Sequence, residues 1–113
     1  MKIYHNPRCS KSRQTLALIE GKTNEFEIVE YLKNPLTNKE ITVLLSQLNI
    51  KAIELVRTQE TIWKENYKGK ELTETETINT MAKNPKLIER PIVVKDNKAI
   101  IGRPPENVLS LFA

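Results

Sequence analysis

The sequence predicts an α/β fold with a mixed central sheet, in the order βαβ, a block of helices, then ββα. A strand, a helix and a second strand fit within the first 31 residues, and a β-rich hairpin followed by a helix fills the last quarter. Strands joined by a crossover helix run parallel, whereas strands joined by a two-residue turn run antiparallel, so the sheet is mixed. We expect a single domain over residues 1–113, with a helical insertion at about 35–85.

The βαβ half begins with a strand at residues 2–4. A helix starts at Ser10 and closes near Gly21, a residue typical of helix C-termini. Residues 26–31 then alternate apolar and polar side chains and include β-branched members, which predicts the second strand.

The block of helices follows the break at Asn34-Pro35. Thr37 or Asn38 is the expected cap of its first helix, and residues 50–57 and 60–68 are predicted as short helices or turns. The first helix has an apolar face at positions i, i+3, i+4 and i+7: Ile41, Leu44, Leu45 and Leu48. Thr73 and Glu76 form a capping box for a further helix, whose expected apolar face is Ile78, Met81 and Ala82.

The last quarter changes to the period of a strand. Residues 91–95 and 98–102 are β-rich and flank Asp96-Asn97, which suits a two-residue hairpin turn. Pro104, Pro105 and Glu106 open a final helix, with Val108, Leu109 and Phe112 expected to pack on the sheet.

The candidate reactive loop is residues 4–13, YHNPRCSKSR, which hold the single cysteine and the single histidine of the chain. Cys9 lies where a helix begins, and the unpaired amide hydrogens there favour a thiolate. Basic neighbours act in the same direction, and the Ser12 hydroxyl is placed to donate a hydrogen bond to the sulfur. The pattern predicts that Cys9 is a nucleophile with a lowered pKa, assisted by Ser12.

Both reactive side chains also have a purely structural interpretation. A lone cysteine is usually a small buried apolar residue, but Arg8, Ser10 and Lys11 are unsuited to an apolar site and favour the nucleophile. His5 is equally compatible with a base that tunes Cys9 and with a packing residue at a strand end.

Composition excludes several functional classes. Apolar residues make up 39% and charged residues 28%, which predicts a folded globule. A net charge of +4 indicates affinity for anions, but aromatic residues are only 5%, too few for a base-stacking surface, so no nucleic-acid binding is expected. No apolar run is long enough to span a membrane. We expect a monomeric bacterial cytoplasmic protein that binds no metal or cofactor.

One cysteine cannot form an internal disulfide, so any resolving thiol must come from another molecule. The ββα half opens with Pro91, and the order of elements matches the thioredoxin-like fold, in which a cis proline at this place faces the cysteine. By that analogy Pro91 is the cis residue, since a cis bond is far easier before proline.

The chain resembles the glutaredoxin-dependent arsenate reductase family (ArsC family), in particular its short branch, over nearly its whole length. The resemblance rests on residues 4–13, on Leu55-Val56-Arg57, on residues 84–94 and on residues 101–104. It implies that Cys9 is the nucleophile and that Arg57, Arg90 and Arg103 bind the oxyanion. It also implies arsenate or a similar oxyanion as substrate, glutathione as co-substrate and glutaredoxin as partner.

Arginine suits that role because its planar guanidinium binds two oxygens of a tetrahedral anion at once. Each arginine is also compatible with an ordinary surface role. The alternative function is a thioredoxin-fold redox regulator or a polymerase-binding adaptor without arsenate turnover, which has no need for arginines that converge on Cys9.

Overall fold

The computed structural model describes residues 1–112, which form two compact units. The first, called here the sheet unit, comprises residues 1–34 together with the described residues from 90 onward. The second, called here the helical unit, is residues 35–89.

The sheet unit contains four strands: β1 (Lys2–Tyr4), β2 (Glu27–Val29), β3 (Ile92–Lys95) and β4 (Lys98–Ile101). Their order is β2-β1-β3-β4, with β1 parallel to β2 and antiparallel to β3. At the centre of the sheet Ile3 is opposite Ile28 on one side and Val93 on the other. The mixed sheet and the parallel crossover are as predicted.

The core of the sheet unit lies between the sheet and two helices, α1 (Ser10–Glu20) and a C-terminal 3₁₀ helix (Pro105–Phe112). Five buried side chains form it: Ile3, Ile19, Val93, Val108 and Leu111. Burying one such side chain contributes about 1.5–3 kcal/mol, so this cluster holds α1, and Cys9 before it, in a fixed position on the sheet.

Two predictions about this unit need correction. The second strand is Glu27–Val29, not residues 26–31, because only these three residues pair with β1. The final helix is a 3₁₀ helix with three residues per turn, so residues at i and i+3 share a face. Its buried residues are therefore Pro105, Val108 and Leu111, whereas Leu109 is 36% exposed.

The helical unit contains four α-helices and a short 3₁₀ helix: α2 (Asn38–Leu48), α3 (Ala52–Leu55), α4 (Thr61–Asn66), α5 (Glu74–Lys83) and Pro85–Leu87. Helix α2 begins after Thr37 and α5 after Thr73, each with a complete capping box. In each box the threonine hydroxyl accepts a hydrogen bond from the backbone N–H three residues on, and the glutamate there accepts one from the threonine N–H.

The buried face of α5 differs from the predicted one. Its buried residues are Thr77, Thr80 and Met81, whereas Ile78 and Ala82 are only partly buried. The two threonine hydroxyls donate to backbone carbonyls of the preceding turn, at 2.9 and 2.8 Å. With its hydroxyl satisfied in this way, threonine packs as a small apolar side chain.

Within residues 1–112, no helix has the length and hydrophobicity that crossing a membrane requires. The peptide bond between Arg90 and Pro91 is cis, and so is the bond between Arg103 and Pro104. With the βαβ and ββα halves in one sheet and a cis proline at the start of β3, the fold is thioredoxin-like.

Candidate active site

Cys9 is the N-cap residue of α1, with extended backbone angles of φ −94° and ψ 123°. The loop before it is held by its own hydrogen bonds: Cys9 N–H donates to the Asn6 carbonyl at 3.0 Å, and Arg8 N–H donates to Asn6 Oδ1 at 3.0 Å. Arg13 Nη1 donates to the Pro7 carbonyl at 3.0 Å from the helix side. These hydrogen bonds fix the loop, so the partly buried Cys9 thiol has a defined position at the start of α1.

Three donors surround the Cys9 sulfur. The Nη2 atom of Arg103 lies 3.4 Å from Sγ, the side chain of Arg90 also hydrogen-bonds it, and the third donor is the backbone N–H of Ser12. All three favour a negatively charged sulfur over a neutral thiol.

These contacts lower the pKa of Cys9. Partial burial raises the pKa of the thiol, but it is outweighed by the Ser12 N–H, the Arg90 hydrogen bond and the charges of Arg90 and Arg103. The net shift is downward, so more Cys9 is a thiolate at neutral pH than for an ordinary cysteine.

The two arginines are also joined to each other. Arg103 Nε donates to the backbone carbonyl of Arg90 at 2.8 Å, and the N–H of Gly102 donates to the carbonyl of Pro91 at 2.9 Å. The segment that carries Arg103 is thus fixed to the cis-proline segment that carries Arg90. Cys9, Arg90 and Arg103, predicted from three separate motifs, lie together.

His5 and Ser12 form a buried pair behind the cysteine, with His5 Nδ1 2.6 Å from Ser12 Oγ. Burial lowers the pKa of His5; the charge of Glu30 opposes this, Arg13 adds to it, and Glu20 also opposes it. The net shift is downward, which favours neutral imidazole.

The role predicted for the Ser12 hydroxyl is wrong. Its partners in residues 1–112 are His5 Nδ1 and the Asn6 N–H, at 2.6 and 3.1 Å, and it is the Ser12 backbone N–H that bonds the sulfur. Ser12 lies on the buried side of α1, so its side chain points to the end of β1 while its amide points out of the helix start. Ser12 thus links His5 to Cys9, because its hydroxyl bonds the imidazole and its amide bonds the sulfur.

The ArsC family model matches residues 4–111 of the chain. The chain belongs to the ArsC family. An uncharacterised protein of Escherichia coli K12, YfgD, is 50% identical over 98% of this chain and 95% of its own length. An arsenate reductase of Haemophilus influenzae is 40% identical over 97% of both chains. The structure of an arsenate reductase from Vibrio cholerae is 42% identical, with a TM-score of 0.92 over 97% of each chain.

Arg57, the third arginine of the ArsC-family resemblance, belongs to the helical unit. Its Nη1 lies 3.1 Å from Glu89 Oε1 and its Nε 3.5 Å from Glu60 Oε1, and its backbone N–H donates to the Leu87 carbonyl at 2.7 Å. The Arg57 side chain is only 22% exposed, and its ion pairs with Glu60 and Glu89 hold it in one orientation. Its part in oxyanion binding stays a prediction.

Two positions with a role at the site were not identified as such from the sequence. Asn6 was named only within the candidate reactive loop of residues 4–13, yet its side chain and its carbonyl both bond backbone N–H groups of that loop. An Asn side chain that bonds the amide two residues on is common in turns. Gly102 was assigned to a strand, but a Cβ there would lie 2.7 Å from Thr15 Oγ1 and 2.9 Å from Pro91 Cγ. The isolated glycine at a strand end was the available signal.

Proposed function

We propose that this ArsC-family protein reduces arsenate to arsenite, using Cys9 as nucleophile and glutathione and glutaredoxin as reductants. The observation that carries the proposal is the convergence of the Arg103 and Arg90 guanidinium groups on the Cys9 sulfur. A redox regulator has no need for two arginines at its thiol. An oxyanion reductase does, because its substrate must contact sulfur and guanidinium together.

The chemistry explains why both charges are needed. Arsenate is a tetrahedral dianion at neutral pH, so a thiolate that approaches it is repelled. Guanidinium forks bind adjacent oxygens, offset this repulsion and stabilise the charge that builds up in the displacement. Amides at the start of α1 add to the same field. The stabilisation of the thiolate and the binding of the anion therefore have the same cause.

The reaction then proceeds in two displacement steps, which together transfer two electrons from the Cys9 and glutathione thiols to arsenic. The Cys9 thiolate attacks arsenic, forms an S–As bond and displaces one oxygen as water after protonation. A glutathione thiolate attacks the Cys9 sulfur, and the S–As electron pair passes to arsenic, which leaves as arsenite with two more electrons. Cys9 remains as a mixed disulfide with glutathione.

The single cysteine determines how this disulfide is resolved. The chain offers no second thiol, so the glutathionyl group must pass to another molecule. We assign this step to glutaredoxin, whose own mixed disulfide is reduced by a further glutathione. Such a cycle operates in a compartment that keeps glutathione reduced, such as the bacterial cytoplasm.

A coupled assay tests the proposal. Protein and arsenate alone should give at most one turnover, whereas glutathione, glutaredoxin and glutathione reductase should give sustained NADPH oxidation that depends on arsenate. Cys9→Ser should fold normally and abolish the reaction. Sustained arsenite production without any added thiol would refute this mechanism.

The arginine contribution is tested by a charge-conserving substitution. Arg90→Lys keeps the positive charge but loses the fork, so kcat/KM for arsenate should fall about tenfold or more. Arg13→Lys is the comparison variant: its guanidinium bonds the Pro7 carbonyl of the cysteine loop instead of the sulfur, so it measures the cost of a lost loop contact and should lower kcat/KM less than Arg90→Lys. Arg57→Lys tests the third arginine of the ArsC-family motif in the same assay. Equal rates for wild type and Arg90→Lys would argue against oxyanion binding by Arg90.

A further inference from the structure

A cavity of about 220 Å³ lies in the sheet unit beside the cysteine loop. The His5 ring, Pro7 and Leu32 supply apolar parts of its lining, and three charged residues line it as well: Arg8, Glu30 and Lys33. Arg8 precedes Cys9 in the chain, and consecutive Cα atoms are about 3.8 Å apart, so the wall of the cavity is one residue from the nucleophile.

The three charges have the arrangement that an amino-acid group requires. Lys33 Nζ lies 3.6 Å from Glu30 Oε1, and the lysine side chain is 75% exposed, so this pair is weak and can open. Within residues 1–112 the Arg8 side chain has no hydrogen-bond or ion-pair partner. Two cations are therefore available to a carboxylate, and one anion to an ammonium group.

The size and lining of the cavity fit one arm of a thiol-containing peptide better than the whole peptide. The volume is below the 300–1,000 Å³ typical of sites that enclose a small molecule. An apolar floor suits methylene groups, and charges of both signs suit a zwitterionic end. The γ-glutamyl arm of glutathione has this composition: two methylenes that end in an ammonium and a carboxylate.

We propose that this cavity binds the γ-glutamyl arm of the thiol co-substrate, with Arg8 and Lys33 on its carboxylate and Glu30 on its ammonium group. The proposal rests on the proposed function in that it assigns a site to the glutathione of that reaction. A thiol peptide held there by its γ-glutamyl arm lies beside the cysteine loop, with its sulfur free to approach Cys9.

The test omits arsenate, so that its failure is distinct from failure of the proposed function. The Cys9 thiolate attacks a symmetrical disulfide, one S–S bond forms as the other breaks, and half of the reagent leaves as a thiolate. Rates are measured by mass spectrometry for four disulfides: those of glutathione, γ-glutamylcysteine, cysteinylglycine and the uncharged 2-mercaptoethanol. Each rate is divided by the rate of alkylation with iodoacetamide, which removes any change in the reactivity of Cys9 itself.

Lys33→Ala and Glu30→Gln should each slow the reaction of the two γ-glutamyl disulfides about fivefold and leave the disulfide of 2-mercaptoethanol, which carries no charge, unchanged. The matched controls are Lys2→Ala and Glu27→Gln, an exposed pair 3.9 Å apart on β1 and β2, which should change no rate. An equal loss for all four disulfides, no loss for any, or a loss confined to the glycine-containing ones would overturn the assignment of this arm to the cavity.

Discussion

Replacing Arg103 by glutamine should raise the pKa of Cys9, because the guanidinium lies 3.4 Å from the sulfur. Two unit charges at this distance attract each other by about 1 kcal/mol even in the dielectric of water, and by several times more at the effective dielectric of a protein surface. Cys9 is partly exposed, so we take the lower value. At a pH below the titration midpoint the thiolate fraction should then fall about five- to tenfold.

The assay is a pH titration of the thiolate by its ultraviolet absorbance. Glutamine retains a donor for the Arg90 carbonyl, so the loss of charge is separated from the loss of that hydrogen bond. Lys11→Gln removes the same charge from an exposed position in the first turn of α1 and should shift the midpoint much less. An unchanged midpoint in Arg103→Gln, or equal shifts in both variants, would refute the role assigned to the Arg103 contact.

Two further predictions concern the packing and titration behind the site. Gly102→Ala should destabilise the protein by about 1–3 kcal/mol, since its Cβ would lie 2.7 Å from Thr15 Oγ1 and 2.9 Å from Pro91 Cγ. Gly21→Ala is the matched control, because the nearest atom to its Cβ would be 3.5 Å away. Its free energy of unfolding should lie within about 1 kcal/mol of the wild-type value. Burial lowers the pKa of His5 in the folded protein, so as the pH falls His5 is protonated in the unfolded chain before it is protonated in the folded one. The free energy of unfolding of wild type should therefore decrease as the pH falls below about 6.5. The stability gap between wild type and His5→Asn should therefore narrow in thermal unfolding from about pH 7.5 to about pH 5.

Local patterns in the sequence predicted most of the fold because each has a short-range cause. The capping boxes at Thr37 and Thr73 and the turn at Asp96, which has φ 55°, are formed by residues adjacent in the chain. The type of the last helix could not be read in this way. A 3₁₀ run of eight residues is uncommon, and the apolar positions 108, 109 and 112 fit an α-helical face as well as 108 and 111 fit a 3₁₀ one.

The sequence predicted which residues form the candidate site, but it did not predict which of their atoms contact one another. Cys9 and its helix start follow from local sequence, whereas the arginines came from the family resemblance, since nothing in the charge pattern separates Arg90 or Arg103 from a surface arginine. That Ser12 uses its amide for Cys9 and its hydroxyl for His5 depends on the rotation of α1 against β1, a tertiary property. The cavity lined by Glu30 and Lys33 was not predicted, because their position beside residues 5–8 is also a tertiary property.

The most direct test of arsenate reduction at Cys9 is the redox stoichiometry of a single turnover. Reduced protein is mixed with arsenate and reduced glutathione, without glutaredoxin, and the peptide that contains Cys9 is weighed by mass spectrometry while arsenite is measured. Two thiols cannot form a disulfide without an oxidant, so we predict one glutathionyl group on Cys9 and one arsenite per chain, and neither when arsenate is omitted. A Cys9 that stays reduced in the presence of arsenate, or is glutathionylated equally in its absence, would contradict the mechanism.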